Sequence, residues 1–142
     1  MTAVQDMLDS IRSIDILFEA SEALNDTRNE YINKQRDQLF TGKKEDGREI
    51  LPAYSPRTVA IKKKKNQPTD RVTLKDTGDF YAEIFLDTRE TEFVIDSADP
   101  KAGQLIEKYG ENIFGLSEPN QEEYINNHLE GSFVERVEKK LS

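Results

Sequence analysis

The first forty residues carry apolar side chains at helical spacing. Such spacing predicts an amphipathic helix over residues 3–19, whose apolar positions are Val4, Leu8, Ile11, Ile14 and Phe18. A second helix is predicted over residues 21–40, separate from the first or joined to it as one long kinked helix. Its apolar stripe is thin, so this second helix is predicted to be exposed or to pack against another subunit.

Residues 41–71 lose this periodicity. Glycines at 42 and 47 stand among charged residues, and prolines follow at 52 and 56. This composition predicts a loop region. Ser55 followed by Pro56 favours one short helix here, with Ser55 as the N-cap and Pro56 in the first turn.

The chain changes from helical to alternating periodicity after Thr77-Gly78. Asp76-Thr77-Gly78-Asp79 is rich in turn-forming residues, and Gly78 is predicted to have a positive φ or a close backbone approach. Period-two alternation predicts a strand over about 79–87, then a turn at 88–90 and a second strand up to Ser97. The sheet is therefore predicted within residues 72–97.

The C-terminal part is predicted to be mostly helical. A short helix is expected from Lys101 to Tyr109, followed by an apolar stretch at 113–116 and a final helix capped by Ser117 or Asn120. Six residues are predicted to form a common core: Ile84, Phe93, Ile95, Leu129, Phe133 and Val137. The predicted fold is α+β: a small antiparallel sheet packed by a C-terminal helix, with N-terminal helices and a basic loop.

Length and composition narrow the possible functions. A chain of 142 residues is predicted to be one domain, comprising N-terminal helices at 1–40, the basic loop region at 41–71 and an α+β core at 72–142. With 34% charged and 35% apolar residues, it is expected to have protruding polar arms or surfaces that a partner completes. No apolar run is long enough for a membrane span, and no signal peptide is recognisable, so we expect synthesis in a cytoplasm.

The sequence predicts no catalytic, cofactor or metal site. The chain has no cysteine, and His128 is its single histidine, which argues against a zinc site. Asp76 and Asp79 flank the Thr-Gly turn and are interpreted as turn-capping residues. No pair of carboxylates stands in an apolar setting that would prepare it for acid–base chemistry, so we expect a protein that is not an enzyme.

One segment reverses the sign of the charge. Lys62, Lys63, Lys64 and Lys65 lie in a stretch without acidic residues, whereas the whole chain has a net charge of −8. The run is either a solvated surface or a contact with DNA phosphate or with an acidic partner. No aromatic residue is interleaved with the lysines, so base stacking is not indicated.

The segment Leu74-x-x-Thr77-Gly78-x-Phe80-x-x-x-Ile84 resembles the tail-completion or neck proteins of tailed bacteriophages and the related virion-morphogenesis proteins. In that family a Thr-Gly turn precedes Leu and then a Ser-Ile pair. Here Phe80 replaces the leucine and Glu83 the serine, while Ile84 matches. The stretch from residue 38 to Gly78 is also similar to prophage genes of Bacteroides-type hosts.

Two later family elements are matched in part. Lys108-Tyr109-Gly110 is similar to a Glu-aromatic-Gly element, with lysine in place of glutamate. The stretch 113–116 takes the place of an Arg-Pro-Phe segment but lacks its Arg-Pro. Asp79 stands where the family often has a basic residue.

The resemblance implies a structural virion protein that is assembled in the bacterial host cytoplasm. Such a subunit would form a homo-oligomeric ring at the head–tail junction or tail end. It would contact other head, portal or tail proteins of the phage. The lysine run would be the segment for a possible contact with packaged DNA. The alternative prediction is a nucleic-acid-associated accessory protein that uses Lys62–Lys65.

Overall fold

The computed structural model describes residues 2–89 and 92–142. Three helices come first: α1 (Ala3–Arg12), α2 (Ile16–Asp26) and α3 (Arg28–Phe40). The middle holds α4 (Pro56–Lys64), the single turn α5 (Asp79–Ala82), and strands β1 (Ile84–Thr88) and β2 (Phe93–Ser97). The C-terminal part holds α6 (Ala102–Tyr109), a 3₁₀ turn (Glu111–Ile113), α7 (Glu118–Tyr124), a π-helical turn (Ile125–Leu129) and α8 (Glu130–Leu141).

The α+β class and the hairpin are confirmed. β1 and β2 pair antiparallel, with Ile84 opposite Ser97 and Leu86 opposite Ile95. Ile84 and Leu86 are buried, whereas Phe85 points outward. Glu90, in the predicted turn, lies outside the described residues.

The predicted start of the first strand is wrong. Asp79–Ala82 forms a helical turn, and β1 begins only at Ile84. The alternation at Phe80 and Ala82 is therefore not a strand signal: Phe80 and Tyr81 are consecutive, and both are buried by the helical turn. The described sheet spans 84–97 instead of 72–97.

The N-terminal region breaks in a different place from the predicted one. Residues 3–19 do not form one helix, because Asp15 accepts a hydrogen bond from the Phe18 N–H (3.0 Å) and so begins α2 as its N-cap. Ser21 lies inside α2 and caps nothing. The next break falls at Thr27, whose hydroxyl lies 2.7 Å from the Tyr124 hydroxyl.

The polar helix α3 is the central helix of the core, so the prediction that it is exposed or packs on another subunit is wrong. Tyr31, Ile32 and Leu39 are buried among the apolar core residues. Gln35 and Gln38 are also buried, at 0% and 2% exposure. A polar side chain tolerates burial when its hydrogen bonds are satisfied, and both glutamines meet that condition.

The predicted core is correct in part. Ile84 is buried, and Ile95 and Leu129 pack against the core. Phe93, however, is 42% exposed, and Phe133 is only partly buried. Val137 is likewise only partly buried.

The π-helical turn explains the errors at Phe133 and Val137, because it interrupts the helical period before these residues. The π-helical turn at Ile125–Leu129 adds a residue per turn and rotates the apolar stripe of α8 relative to that of α7. As a result α8 packs on α1 and α2 at the edge of the molecule, where Arg136 donates to the buried Glu19 carboxylate at 2.9 Å.

The smaller predictions for the middle of the chain hold. Ser55 caps α4 by accepting from the Thr58 N–H (3.2 Å), with Pro56 as the first helical residue. Gly110 ends α6 with φ +99°.

Candidate functional site

The Thr-Gly turn has the predicted backbone. Gly78 has φ +96° and directly precedes α5, which confirms the prediction of a positive φ. The Thr77 hydroxyl accepts from the Asp79 N–H at 3.3 Å. Leu74 is buried and also has a positive φ, +59°, which is rare for a side chain of this size.

The lysine run lies against this turn. Lys62 is buried, donates to the Lys75 carbonyl at 3.0 Å and stands 4.8 Å from the centre of the Tyr54 ring. Lys65 donates to Asp76 at 2.7 Å, and this hydrogen bond holds the pKa of Asp76 below its usual value. Two of the four lysines thus hold the Thr-Gly segment within the subunit.

The other two lysines are free for a partner. Lys63 and Lys64 are exposed. Within the described part of the chain neither one makes an ion pair. The structure therefore divides the run into internal contacts and a smaller exposed basic pair.

Tyr54 joins the two segments. Its hydroxyl accepts from the backbone N–H of Thr73 (3.0 Å) and of Leu74 (3.3 Å). Burial acts to raise the pKa of Tyr54, but these hydrogen bonds and the charge of Lys62 outweigh it and lower the pKa. A cavity of about 310 Å³ lies beside this junction, with Ile61 and Leu105 among its lining residues.

The described residues hold no arrangement that points to catalysis. His128 is exposed, and no group of metal-ligating side chains comes together within residues 2–89 and 92–142. In the same ranges no helix is both long and apolar enough to cross a membrane.

A larger apolar groove lies elsewhere, between α2, β2 and α7. Its volume is about 880 Å³. The walls are apolar side chains from α2, β2 and the π-helical turn: Leu17, Leu24, Phe93, Ile95, Ile125 and Leu129. The floor includes Tyr31 and Tyr124, whose rings meet edge to face with centroids 5.2 Å apart.

Burial raises the pKa values of the two tyrosines on the floor of the groove. Desolvation raises the pKa of Tyr31 to about 12, so its hydroxyl stays neutral to higher pH than that of an exposed tyrosine. Desolvation also raises the pKa of Tyr124. The groove therefore offers a partner apolar surface with neutral hydroxyls beneath it.

Two buried glutamines hold the edge of the groove in place. Gln38 donates to the Gly115 carbonyl (2.8 Å) and accepts from the Ser117 N–H (2.7 Å). Gln35 accepts from the Gly115 N–H (2.7 Å) and donates to the Ile113 carbonyl (3.2 Å). We call these two residues the glutamine clamp. It fixes segment 113–117, of which Gly115 and Leu116 line the groove.

The helix α1 carries a second exposed apolar surface, although α8 packs on part of this helix. None of its residues is buried, although it is strongly amphipathic. Its apolar residues remain exposed: Val4 (62%), Met7 (54%), Leu8 (38%) and Ile11 (48%). At the start of α2, Ile16, Leu17 and Phe18 are each exposed by more than half. Large apolar surfaces of this kind mark sites of protein association.

Sequence reasoning found the lysines and the turn but missed the groove. The groove residues come from five separate segments between residues 17 and 129, so no local motif contains them. The apolar period of α1 was visible, but its exposure was not. Comparison with protein-family models, with curated proteins and with solved structures found no match.

Proposed function

We propose that the protein is a structural subunit that assembles with copies of itself into a ring in the virion of a tailed bacteriophage, at the head–tail junction or tail end. The observation that carries the proposal is the unpartnered apolar face of α1 and of the first turn of α2. The place in the virion rests on the sequence resemblance around Thr77-Gly78.

The exposed apolar area is large enough to support self-association. Seven large apolar side chains on α1 and early α2 are each exposed by between 38% and 62%. Together they present several hundred square ångström, which approaches the roughly 800 Å² that each partner buries in a specific interface. Leaving this area in water is costly, whereas burying it between subunits is favourable.

A closed ring also needs two different surfaces that fit each other through a rotation. The described subunit has one exposed basic surface and one exposed acidic surface. Lys63 and Lys64 form an exposed basic end on α4, whereas α7 and α8 carry exposed acidic residues such as Glu118, Glu122 and Glu138. Contacts of this kind would guide register and be screened by salt.

The structure limits the lysine hypothesis to two of the four lysines, Lys63 and Lys64, because Lys62 and Lys65 make contacts within the subunit. Replacing all four lysines by glutamate would bury a carboxylate at position 62 beside a backbone carbonyl, so that variant would unfold the subunit and test nothing about assembly. The variant to make is Lys63→Glu with Lys64→Glu. We expect it to fold normally and to assemble less well as salt is lowered.

The alternative, nucleic-acid association through the lysine run, has two exposed lysines to rely on. Few phosphate contacts give weak, shallowly salt-dependent binding. Titration with duplex DNA at low salt tests it: weak binding that falls as salt rises and disappears in the Lys63→Glu/Lys64→Glu variant would favour it over ring assembly, and no detectable binding at low salt would remove it.

The proposed function is tested in particles. Purified virions should contain the protein at a fixed copy number per particle. Val4→Asp combined with Ile11→Asp should keep the subunit folded, because neither side chain is buried, but should exclude it from particles. Absence of the wild-type protein from virions would refute the proposal.

A further inference from the structure

We infer that the groove between α2, β2 and α7 is the acceptor site for helix α1 of a second copy of this chain. This inference rests on the proposed self-assembly and specifies its interface. One copy would then present its α1 while its own groove receives the α1 of the next copy.

The first argument is that the chain carries both halves of one interface. α1 is a helix of ten residues, about 15 Å long at the usual rise, with an apolar side that is exposed along its length. The groove is lined by apolar residues and has a volume of about 880 Å³. Placing an amphipathic helix in an apolar groove is a recurring mode of protein recognition.

The second argument is geometric continuity. Leu17 lines the groove and is 61% exposed, and it belongs to the same apolar surface that continues onto α2 from α1. The donor helix and the mouth of the acceptor groove are thus separated by residues 13–15 alone. A contact in which α1 of one copy lies along the groove of another would cover the first turn of α2 as well.

The third argument is charge. Arg12 is the basic side chain in the last turn of α1; it is 71% exposed, and its contact with Asp9 is long at 3.9 Å. The groove is bordered by Glu45, Glu92 and Glu118 against Arg89. Arg12 can pair with these glutamates, whereas Asp6 and Asp9 of the same helix are repelled by them. The charges therefore favour the docking direction that brings the C-terminal end of α1 to the glutamates.

The contact is heterologous, since α1 and the groove are different surfaces. Heterologous contacts generate rings when the rotation closes. An isologous contact, in which α1 packs on α1, would instead give a dimer. The two arrangements predict different cross-links.

The absence of cysteine from the chain allows a direct test. Met7→Cys places a thiol on the exposed face of α1, and Gln121→Cys places one on the α7 wall of the groove, at an exposed polar position. The two single variants are mixed, one carrying a mass label, and treated with a short thiol-reactive cross-linker. Gln104→Cys, exposed on α6 and away from the groove, replaces Gln121→Cys in the control mixture.

We expect a covalent heterodimer of Met7→Cys with Gln121→Cys, at least tenfold above the yield with Gln104→Cys. The double variant Met7→Cys/Gln121→Cys should give a ladder of covalent oligomers. A monomer with an internal cross-link would mean that α1 fills its own groove and would overturn the inference. Homodimers of Met7→Cys alone, without the heterodimer, would overturn it in favour of α1 packing on α1.

A second variant separates this inference from the proposed function. Phe93→Asp changes a groove residue that is 42% exposed, and Phe85→Asp changes an outward residue of β1 that is 41% exposed and does not line the groove. Burial of one large apolar side chain contributes enough to association for its loss to weaken binding by about tenfold or more. We expect Phe93→Asp, but not Phe85→Asp, to weaken self-association to this extent, with both remaining folded by circular dichroism.

The outcomes are distinguishable. If the wild-type protein assembles and neither the cross-link nor the Phe93→Asp effect is seen, the groove assignment is wrong while the ring proposal stands. If the heterodimer forms but the protein never enters particles, the docking stands and the virion role fails. If a small apolar molecule occupies the groove and blocks the cross-link without affecting assembly, the acceptor role is overturned.

Discussion

Replacing Gln38 by leucine should destabilise the subunit severely, although leucine is apolar and similar in size. Gln38 is 2% exposed, and its amide joins α3 to segment 115–120. It donates to the Gly115 carbonyl at 2.8 Å and accepts from the Ser117 N–H at 2.7 Å and the Asn120 side-chain amide at 2.8 Å.

The magnitude depends on the groups that lose their partner. Leucine would leave the Gly115 carbonyl and the Ser117 N–H without partners in a buried setting. Each buried unsatisfied group costs about 1–3 kcal/mol, so we expect the free energy of unfolding to fall by about 2–6 kcal/mol. This is a large fraction of the roughly 5–15 kcal/mol that stabilises a typical domain.

The assay is urea unfolding followed by circular dichroism, with the midpoint compared at constant slope. Gln104→Leu is the matched control, because Gln104 is exposed on α6 and should change stability by no more than about 0.5 kcal/mol. If Gln38→Leu is no less stable than Gln104→Leu, the clamp does not hold the groove edge as described. A weakened clamp should also weaken self-association, since Gly115 and Leu116 line the groove.

Three further predictions concern stability. Gly78→Ala should lower the free energy of unfolding by more than about 1 kcal/mol, because the φ of Gly78 is +96°. Gly131→Ala lies in a helix with open space around its Cβ and should raise the free energy of unfolding by about 0.5–1 kcal/mol. Chemical denaturation that gives both changes the same sign would contradict this. Burial raises the pKa of Tyr31 to about 12, so its neutral form stabilises the fold below pH 10 and this contribution is lost between about pH 10 and 12. Tyr31→Phe should reduce the loss of stability over this alkaline range. An unchanged dependence of the free energy of unfolding on pH would contradict this prediction. Phe133→Ala should lower the free energy of unfolding by about 1–3 kcal/mol, less than the roughly 3–5 kcal/mol expected at an enclosed site, because Phe133 is only partly buried. Thermal or urea unfolding measures this change. A loss above about 3 kcal/mol would mean that Phe133 is enclosed.

Local signals in the sequence were sufficient for local structure. Gly78 was placed correctly because a turn between two periodicities requires a residue that accepts positive φ. Ser55-Pro56 began a helix because a cap and a proline act on adjacent backbone groups. The hairpin was predicted from two short β-forming runs.

The errors about α3 and about Lys62 share one physical cause, which is that burial depends on distant partners. Gln35 and Gln38 made α3 look exposed, but their hydrogen-bond partners lie about 80 residues further along the chain. Lys62 looked like a surface charge for the same reason, since the Lys75 carbonyl and the Tyr54 ring that receive it come from other segments.

The groove could not be predicted from periodicity. Its walls come from α2, β2 and the π-helical turn, and that turn itself interrupts the apolar period on which the core prediction relied. A sequence pattern reports which side of a helix is apolar, but not whether another element covers it.

Native mass measurement of the purified protein, alone and mixed with the phage head and tail proteins that we propose as its partners, tests the proposed self-assembly most directly. We expect one discrete species at an integer multiple of the chain mass for the wild type, and a monomer for Val4→Asp/Ile11→Asp at the same concentration. A wild-type protein that stays monomeric at all concentrations and in all mixtures would contradict the account.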